Sequence, residues 1–364
     1  MMLRFALPLG MLMSFAAPIP HVHAEPLQSA IDRQLALNAQ RYGIAGQAVL
    51  ILHDGKTLYR GSQGLARRET NEPVHPNDIF PAYSISKLFV SVLLMQLVEQ
   101  GQLDLDKPVG VYLPDLPAAW RSVKVNEILD HVSGLPDYFD GTRTPIVLPP
   151  TREAIFKSLA DKPFLFTPGA QSRYTQTNFL VLGALLEAHY KTTYRQIVTD
   201  RIVKPLGLRD TYFGKSHVPA GKMVSSYIGK DHQLTIDKGI DWPEYGIVHA
   251  ELYTTIDDLG LFLNALCQGR LVKRETLLSL WKPYRYEKGG VGWVASGWEY
   301  GTSGRYQNVG HDGGTKTRVR LLFRDSLTKD TYAFIYLTNG SAENVWSRTL
   351  IDSLMPIVSP HDFQ

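Results

Sequence analysis

The residues of this chain best placed to do chemistry are Ser84 and Lys87, in the stretch Pro81-Ala82-Tyr83-Ser84-Ile85-Ser86-Lys87-Leu88-Phe89. A three-residue spacing puts the hydroxyl and the amine on one helical face. A serine hydroxyl attacks a carbonyl only with a base within hydrogen-bond reach. Lysine can be that base when its ammonium is desolvated or lies near another cation. The residues that follow supply desolvation. Leu88, Phe89, Val90, Val92, Leu93, Leu94, Met95, Leu97 and Val98 are apolar nearly all round, the pattern of a helix buried on every side. Ser84 and Lys87 are therefore expected on the first turn of a core helix, where backbone N–H groups and the helix dipole favour a developing negative charge.

The tetrapeptide alone does not select Ser84, because Ser279…Lys282 and Ser326…Lys329 repeat it. The first repeat lies in an ordinary helical run and the second in a connection between strands; neither opens a buried helix. Two further stretches carry candidates. Residues 168–178 hold Tyr174 in a loop that opens a helix, where a phenol could join the site or simply pack, as one of 18 tyrosines. Gly310-His311-Asp312-Gly313-Gly314 ends a strand. Glycines at a strand edge let a substrate backbone approach closely, although a hairpin turn with an incidental histidine has the same composition.

Taken together and in this order, the three stretches resemble the penicillin-recognising serine hydrolases: class C β-lactamases, serine D-Ala-D-Ala carboxypeptidases and their esterase relatives. His131-Val132-Ser133-Gly134-Leu135-Pro136-Asp137-Tyr138 looks like the loop after the family's second helix, and Leu252-Tyr253-Thr254-Thr255-Ile256-Asp257-Asp258-Leu259 like its later helix entry. The resemblance runs from about residue 30 to about residue 355. It implies that Ser84 is acylated, that Lys87 activates it, and that Tyr174 serves as an acid/base group, as phenol or phenolate. It implies an oxyanion hole from the backbone N–H groups of Ser84 and Gly314, with Gln176, His311 and Gly313 lining the substrate site. Substrates would be small molecules or peptides with an ester or amide bond, and no cofactor or metal is needed.

Three departures bear on the substrate. The family's Tyr-x-Asn reads Tyr174-Thr175-Gln176 here, which keeps an amide on a longer arm. Tyr306-Gln307-Asn308 fits the pattern literally but stands just before the third motif, as a decoy. His311 replaces the lysine usual in β-lactamases, and a neutral imidazole cannot anchor a carboxylate as an ammonium does. The chain is thus expected to be a carboxypeptidase-like peptidase or an esterase ahead of a class C-like β-lactamase. A non-catalytic sensor or binding protein on the same fold is the competing reading of another class. Glu251 falls where relatives often have glycine and is expected as a solvated loop residue. The 11 histidines are expected mostly at the surface or in loops.

The elements that must position these groups follow from pattern. A helix is expected before Gly43, then a strand over residues 47–52, the hairpin signal Asp54-Gly55, and a return strand over 56–61. Loops alternate with short helices at Val125–Leu129, Arg152–Leu159, 178–189 and 194–202, giving a mostly helical lobe over about 104–239. Residues 257–267 form a helix that Thr255 and Asp258 could cap reciprocally. Strands return at 307–311, 317–323 and Tyr332–Thr338, and a closing helix is expected over 341–355. Strands at both ends with helices between them give an α+β, β-lactamase/transpeptidase-like fold. One antiparallel sheet is built from both chain ends and flanked by helices.

The 364 residues carry a net charge of +3, with no basic run, zinc spacing or phosphate loop, which argues against a nucleic-acid partner. No Gly-x-Ser-x-Gly elbow is present. Residues 1–24, with Arg4, an apolar run and Val22-His23-Ala24, read as a cleaved secretory signal. Residues 25–364 then form a single exported, periplasmic or secreted domain with no stable membrane anchor, expected as a monomer. Cys267 is the only cysteine, so no intrachain disulfide can form.

Overall fold

The computed structural model describes residues 25–139, 141, 147–230 and 232–363. The expected leader lies outside the described residues, as does part of the loop over 137–150. The chain opens with helix α1, Leu27–Tyr42, then strands β1, Gly46–His53, and β2, Lys56–Arg67. Asp54 and Gly55 join them with φ of 49° and 73°, the left-handed pair that a two-residue hairpin demands. β2 continues past the expected end at Gly61, because Gly64 (φ 85°) lies so close to the Ala45 carbonyl that a side chain there would collide with it. Short strands β3, Glu72–Pro73, and β4, Phe80–Pro81, lead to α2, Ser86–Glu99.

A region of short helices follows: α3, Val125–Leu129; α4, Arg152–Leu159; α5, Gln176–Tyr190; α6, Tyr194–Val198; and α7, Lys204–Leu206. The expected helical lobe ends sooner than residue 239. β5, Tyr212–Phe213, and the hairpin β6–β7, Tyr227–Lys230 and Gln233–Ile236, occupy its last part. Strand β8, Leu252–Thr254, then pairs with β4 and β5, and helices α8, Ile256–Cys267, and α9, Arg274–Leu280, follow. Thr255 caps α8 by accepting from the Asp258 N–H at 3.2 Å. The reciprocal half of the box is missing, because the Asp258 carboxylate binds Asp210 N and Thr211 Oγ1 instead.

The chain then returns to the sheet as β9, Val294–Ala295; β10, Trp298–Ser303; β11, Tyr306–Asp312; β12, Arg318–Phe323; and β13, Tyr332–Thr338. Their order is β3-β2-β1-β13-β12-β11-β10-β9, antiparallel throughout. The first and last long strands therefore meet in mid-sheet. The closing helix starts later than expected, as α10, Ser347–Asp352, followed by α11, Met355–Val358. The N–H groups of Ala342 and Glu343 donate to the carbonyls of Gly43 and Tyr42, tying this segment to the end of α1.

The period-2 alternation of β1 serves two cores. Ala48, Leu50 and Leu52 face the helical side, while Val49 and Ile51 face α1, α10 and α11. Helix α2 runs through the helical core, with Leu88, Phe89, Val90, Val92, Leu93 and Leu94 fully buried. Each such side chain contributes roughly 1.5–3 kcal/mol by leaving water. That burial holds the start of α2 rigidly against β11.

Candidate active site

The β4–β8 pairing delivers the chain to Ser84. Ala82 N donates to Leu252 O at 2.7 Å, and Tyr83–Ile85 make one 3₁₀ turn before α2 begins at Ser86. Ser84 thus stands one turn ahead of the helix, not within it. Tyr83 sits at φ 49°, a conformation that few non-glycine residues adopt and that surrounding packing must hold.

Three polar groups converge there. Lys87 Nζ lies 3.1 Å from Ser84 Oγ and donates to the His249 carbonyl at 2.7 Å. The Tyr174 hydroxyl donates to Ser84 Oγ at 2.8 Å. Lys87 is completely buried, under the rings of Tyr174 and Phe179 at 4.9 and 5.3 Å from their centroids. Burial drives its ammonium pKa well below 10.5, against the weaker pull of Asp137 and Glu299. Burial pushes the Tyr174 phenol the other way, above 10. Burial thus favours the neutral amine over the ammonium and the intact phenol over the phenolate. A neutral Lys87 offers its lone pair to the Ser84 O–H, while Ser84 Oγ accepts from Tyr174.

The loop at 131–138 does the positioning, a role its sequence does not disclose. His131 is buried with its ring 4.6 Å from that of Tyr174. Its Nδ1 accepts from Thr175 N at 3.3 Å and faces Asn178 Nδ2 at 3.1 Å, which assigns the proton to Nε2. Ser133 Oγ donates to Asn178 Oδ1 at 2.7 Å. Asp137 accepts from the N–H groups of Gln176 and Thr177 at 3.0 and 3.2 Å, so a distant carboxylate caps α5. The Tyr138 hydroxyl meets His249 Nε2 at 2.6 Å, beside the carbonyl that holds Lys87.

The third motif closes the site from β11. His311 is buried, its ring 5.9 Å from that of Tyr174. Its Nδ1 donates to Asp312 O at 2.7 Å, which leaves Nε2 bare. Burial lowers its pKa despite the nearby Glu299 carboxylate, with Lys87 adding to the lowering, so the ring is neutral at pH 7. A side chain at Gly313 would stand 2.0 Å from Thr317 Oγ1 and 2.5 Å from Ala82 O. Only glycine fits that approach. Gly314 lies over the Tyr83 ring, 3.0 Å from Cγ for an added Cβ. Gly314 is thereby placed against Tyr83, the residue before Ser84. Gln176 reaches the same space, with Oε1 buried and without a hydrogen-bond partner.

Several expectations change. Glu251 is not solvated; it is 7% exposed and accepts from Lys215 N and Tyr253 OH at 3.0 and 2.9 Å. It borders a cavity of about 350 Å³ that shares Tyr83 as a wall. Three of the histidines, His131, His249 and His311, are buried around Lys87 and Tyr174. Tyr306 is buried on the outer face of the sheet, bonded to Asp330, away from Ser84. Trp293, packed 6.4 Å from Tyr174 and 6.2 Å from His131, had no signal in the sequence. Among the described residues no group of three or more His, Cys, Asp or Glu could hold a metal ion, and no helix is long and apolar enough to cross a membrane.

Known proteins share this framework. The family model described as Beta-lactamase matches residues 27–350. Esterase EstB of Burkholderia gladioli is 28% identical over 236 residues, covering 60% of this chain and 59% of the esterase, so the chain spans less than two thirds of that relative. The D-alanyl-D-alanine-carboxypeptidase/endopeptidase AmpH of Escherichia coli is 22% identical over 357 residues, 89% of each chain. The solved D-amino acid amidase of Ochrobactrum anthropi SV3, complexed with D-phenylalanine, superimposes with a TM-score of 0.78 at 21% identity, covering 92% of this chain and 99% of the amidase. The extent of the family match and the shared architecture lead to one conclusion: this chain belongs to the Beta-lactamase family.

Proposed function

We propose that the protein hydrolyses esters or amides of small molecules or peptides through an acyl-Ser84 intermediate. The observation that carries this is the pair of bonds from Ser84 Oγ to Lys87 and Tyr174, with Lys87 completely buried. In this reading Lys87 Nζ takes the Ser84 proton as Oγ attacks the carbonyl carbon. The oxyanion is received by the N–H groups of Ser84 and Gly314. The proton passes by way of Tyr174 to the leaving alcohol or amine as the carbonyl–leaving-group bond breaks. A water then attacks the acyl-enzyme and restores Ser84.

The third motif bears on the substrate. His311 is neutral at pH 7, and the guanidiniums nearest it, Arg318 and Arg320, are bound to Asp312 and Glu299. Nothing there rewards a carboxylate. An esterase or a peptidase acting on amides, carboxypeptidase-like activity included, is favoured over a β-lactamase, and the uncharged ester ranks first. Our reading includes export after loss of residues 1–24 and one monomeric domain over residues 25–364.

Intact-mass spectrometry after treatment with a fluorophosphonate tests the core of the reading. One adduct is expected on the wild type and none on Ser84→Ala; an adduct that persists in the variant overturns it. A panel of a short-chain nitrophenyl ester, a D-Ala-D-Ala peptide and nitrocefin tests the substrate. Turnover is expected to fall in that order, and preference for nitrocefin would reverse the assignment.

A further inference from the structure

The face of β11 opposite Ser84 carries a groove that hydrolysis leaves unused. Along this strand His311 points to the nucleophile and Asp312 points the other way, into a cavity of about 720 Å³. That volume is within the roughly 300–1,000 Å³ usual for ligand sites. Two indoles border it, Trp346 at 80% exposure and Trp293 at 39%. Exposed large aromatics in one cavity mark a contact site.

The charges in the groove cancel in place. Arg318 and Arg320 bind Asp312, Arg320 also binds Glu299, and Arg348 binds Asp352. An anionic or cationic ligand would gain no net attraction. What the groove offers is stacking area together with carboxylate and guanidinium edges that give and accept hydrogen bonds. Gly301 lies on its strand wall, and a side chain there would meet nothing within 4 Å, so the backbone is open to a ligand. A flat ligand with apolar faces and a rim of hydroxyls matches this surface, and a pyranose ring has that form.

We propose that the groove binds a neutral oligosaccharide, with one sugar face stacked on Trp346. Trp293 is the wall shared with the hydrolytic site, since its ring also packs against those of Tyr174 and His131. The proposal does not depend on acyl transfer, and binding is measured on Ser84→Ala so that catalysis cannot enter.

Titration calorimetry of that full-length variant with neutral tetrasaccharides of N-acetylglucosamine, β-1,4-glucose and α-1,4-glucose is the test. At least one is expected to bind at millimolar concentration or better. Adding Trp346→Ala should weaken it about tenfold through lost stacking, and Gly301→Phe should abolish it by filling the groove. Melting temperatures of both variants show whether they remain folded, and an exposed indole can be removed without disturbing the core. No binding by any of the three, binding unchanged by both substitutions, or tighter binding of a galacturonate tetramer would each overturn the proposal.

Discussion

Two groups of buried cations flank β11, and burial has opposite consequences for them. Lys87 is fully enclosed with no ion pair among the described residues, and burial shifts it toward the neutral amine. Arg320 and Arg318 are nearly as enclosed, at 4% and 6% exposure, yet each meets a carboxylate directly. Burial alone would raise the Asp312 pKa, but Arg320 and Arg318 outweigh it and hold the group ionised. The difference is the partner, not the depth. A buried charge persists only where an opposite charge and hydrogen bonds compensate its lost hydration. The amine beside Ser84 is denied that compensation, as the proposed role of base requires; the guanidiniums receive it and become scaffold.

The comparison can be broken most sharply at Lys87. Lys87→Arg keeps a cation that cannot be deprotonated, so acylation by a nitrophenyl ester should fall about 10⁴-fold, the top of the general-base range. Stopped-flow acylation rates decide this, and a near-normal rate would mean that no neutral amine is needed. In the wild type the same rate should rise with pH through the lowered Lys87 pKa and level off well below pH 10.5.

On the scaffold side, Asp312→Ala strands the buried Arg318 guanidinium and leaves Arg320 with Glu299 alone. It should destabilise the fold by about 3–5 kcal/mol in urea titrations, whereas a loss below 1 kcal/mol would make the pairing incidental. Tyr174→Phe removes a phenol without changing any charge. A fall of about 10²-fold in kcat/KM is expected, with the melting temperature unchanged; equal activity would leave Lys87 acting alone.

Asp130 sharpens the contrast from the side of a lone acid. It is a buried acid held only by backbone N–H groups, and burial pushes its pKa up to about 8. A folded pKa above the unfolded 3.8 means that the folded state holds the extra proton between those values. Stability from this group is full below about pH 4 and is lost as pH rises to about 8. Asp130→Asn should remove that slope, so the melting-temperature gap between variant and wild type should widen from pH 5 to pH 8.5. Parallel curves would show that Asp130 is ionised throughout.

Local spacing was enough to read Ser84 and Lys87, because both lie within one turn and the apolar run after them announces burial. Tyr174 and His311 were legible only through family resemblance. Their approach to Ser84 is made by separate elements, α5 and β11, that no short-range pattern connects. The stretch 131–138 was singled out by resemblance, but its positioning role was not legible, since Asp137 capping α5 and Tyr138 meeting His249 are contacts between residues far apart in sequence. Glu251 was misread for a related reason: a charged side chain gives no sign of burial when its partners are a backbone N–H and a tyrosine hydroxyl. The late start of α10 goes with a segment tied by its N–H groups to Gly43 and Tyr42, long-range contacts that helical periodicity cannot register.

The meeting of β1 and β13 in mid-sheet carries a consequence for the order of assembly. Gln47 pairs with Thr338 and Leu50 with Ile335, and β11 reaches β1 only across β12 and β13. A ribosome that has already released Ser84, Lys87 and Tyr174 has yet to make the strands that bring His311 and Gly314 beside them. Contacts this distant in sequence form slowly. The growing chain therefore holds Ser84 apart from His311 and Gly314 until β11, β12 and β13 have been made, and the candidate site is assembled only then.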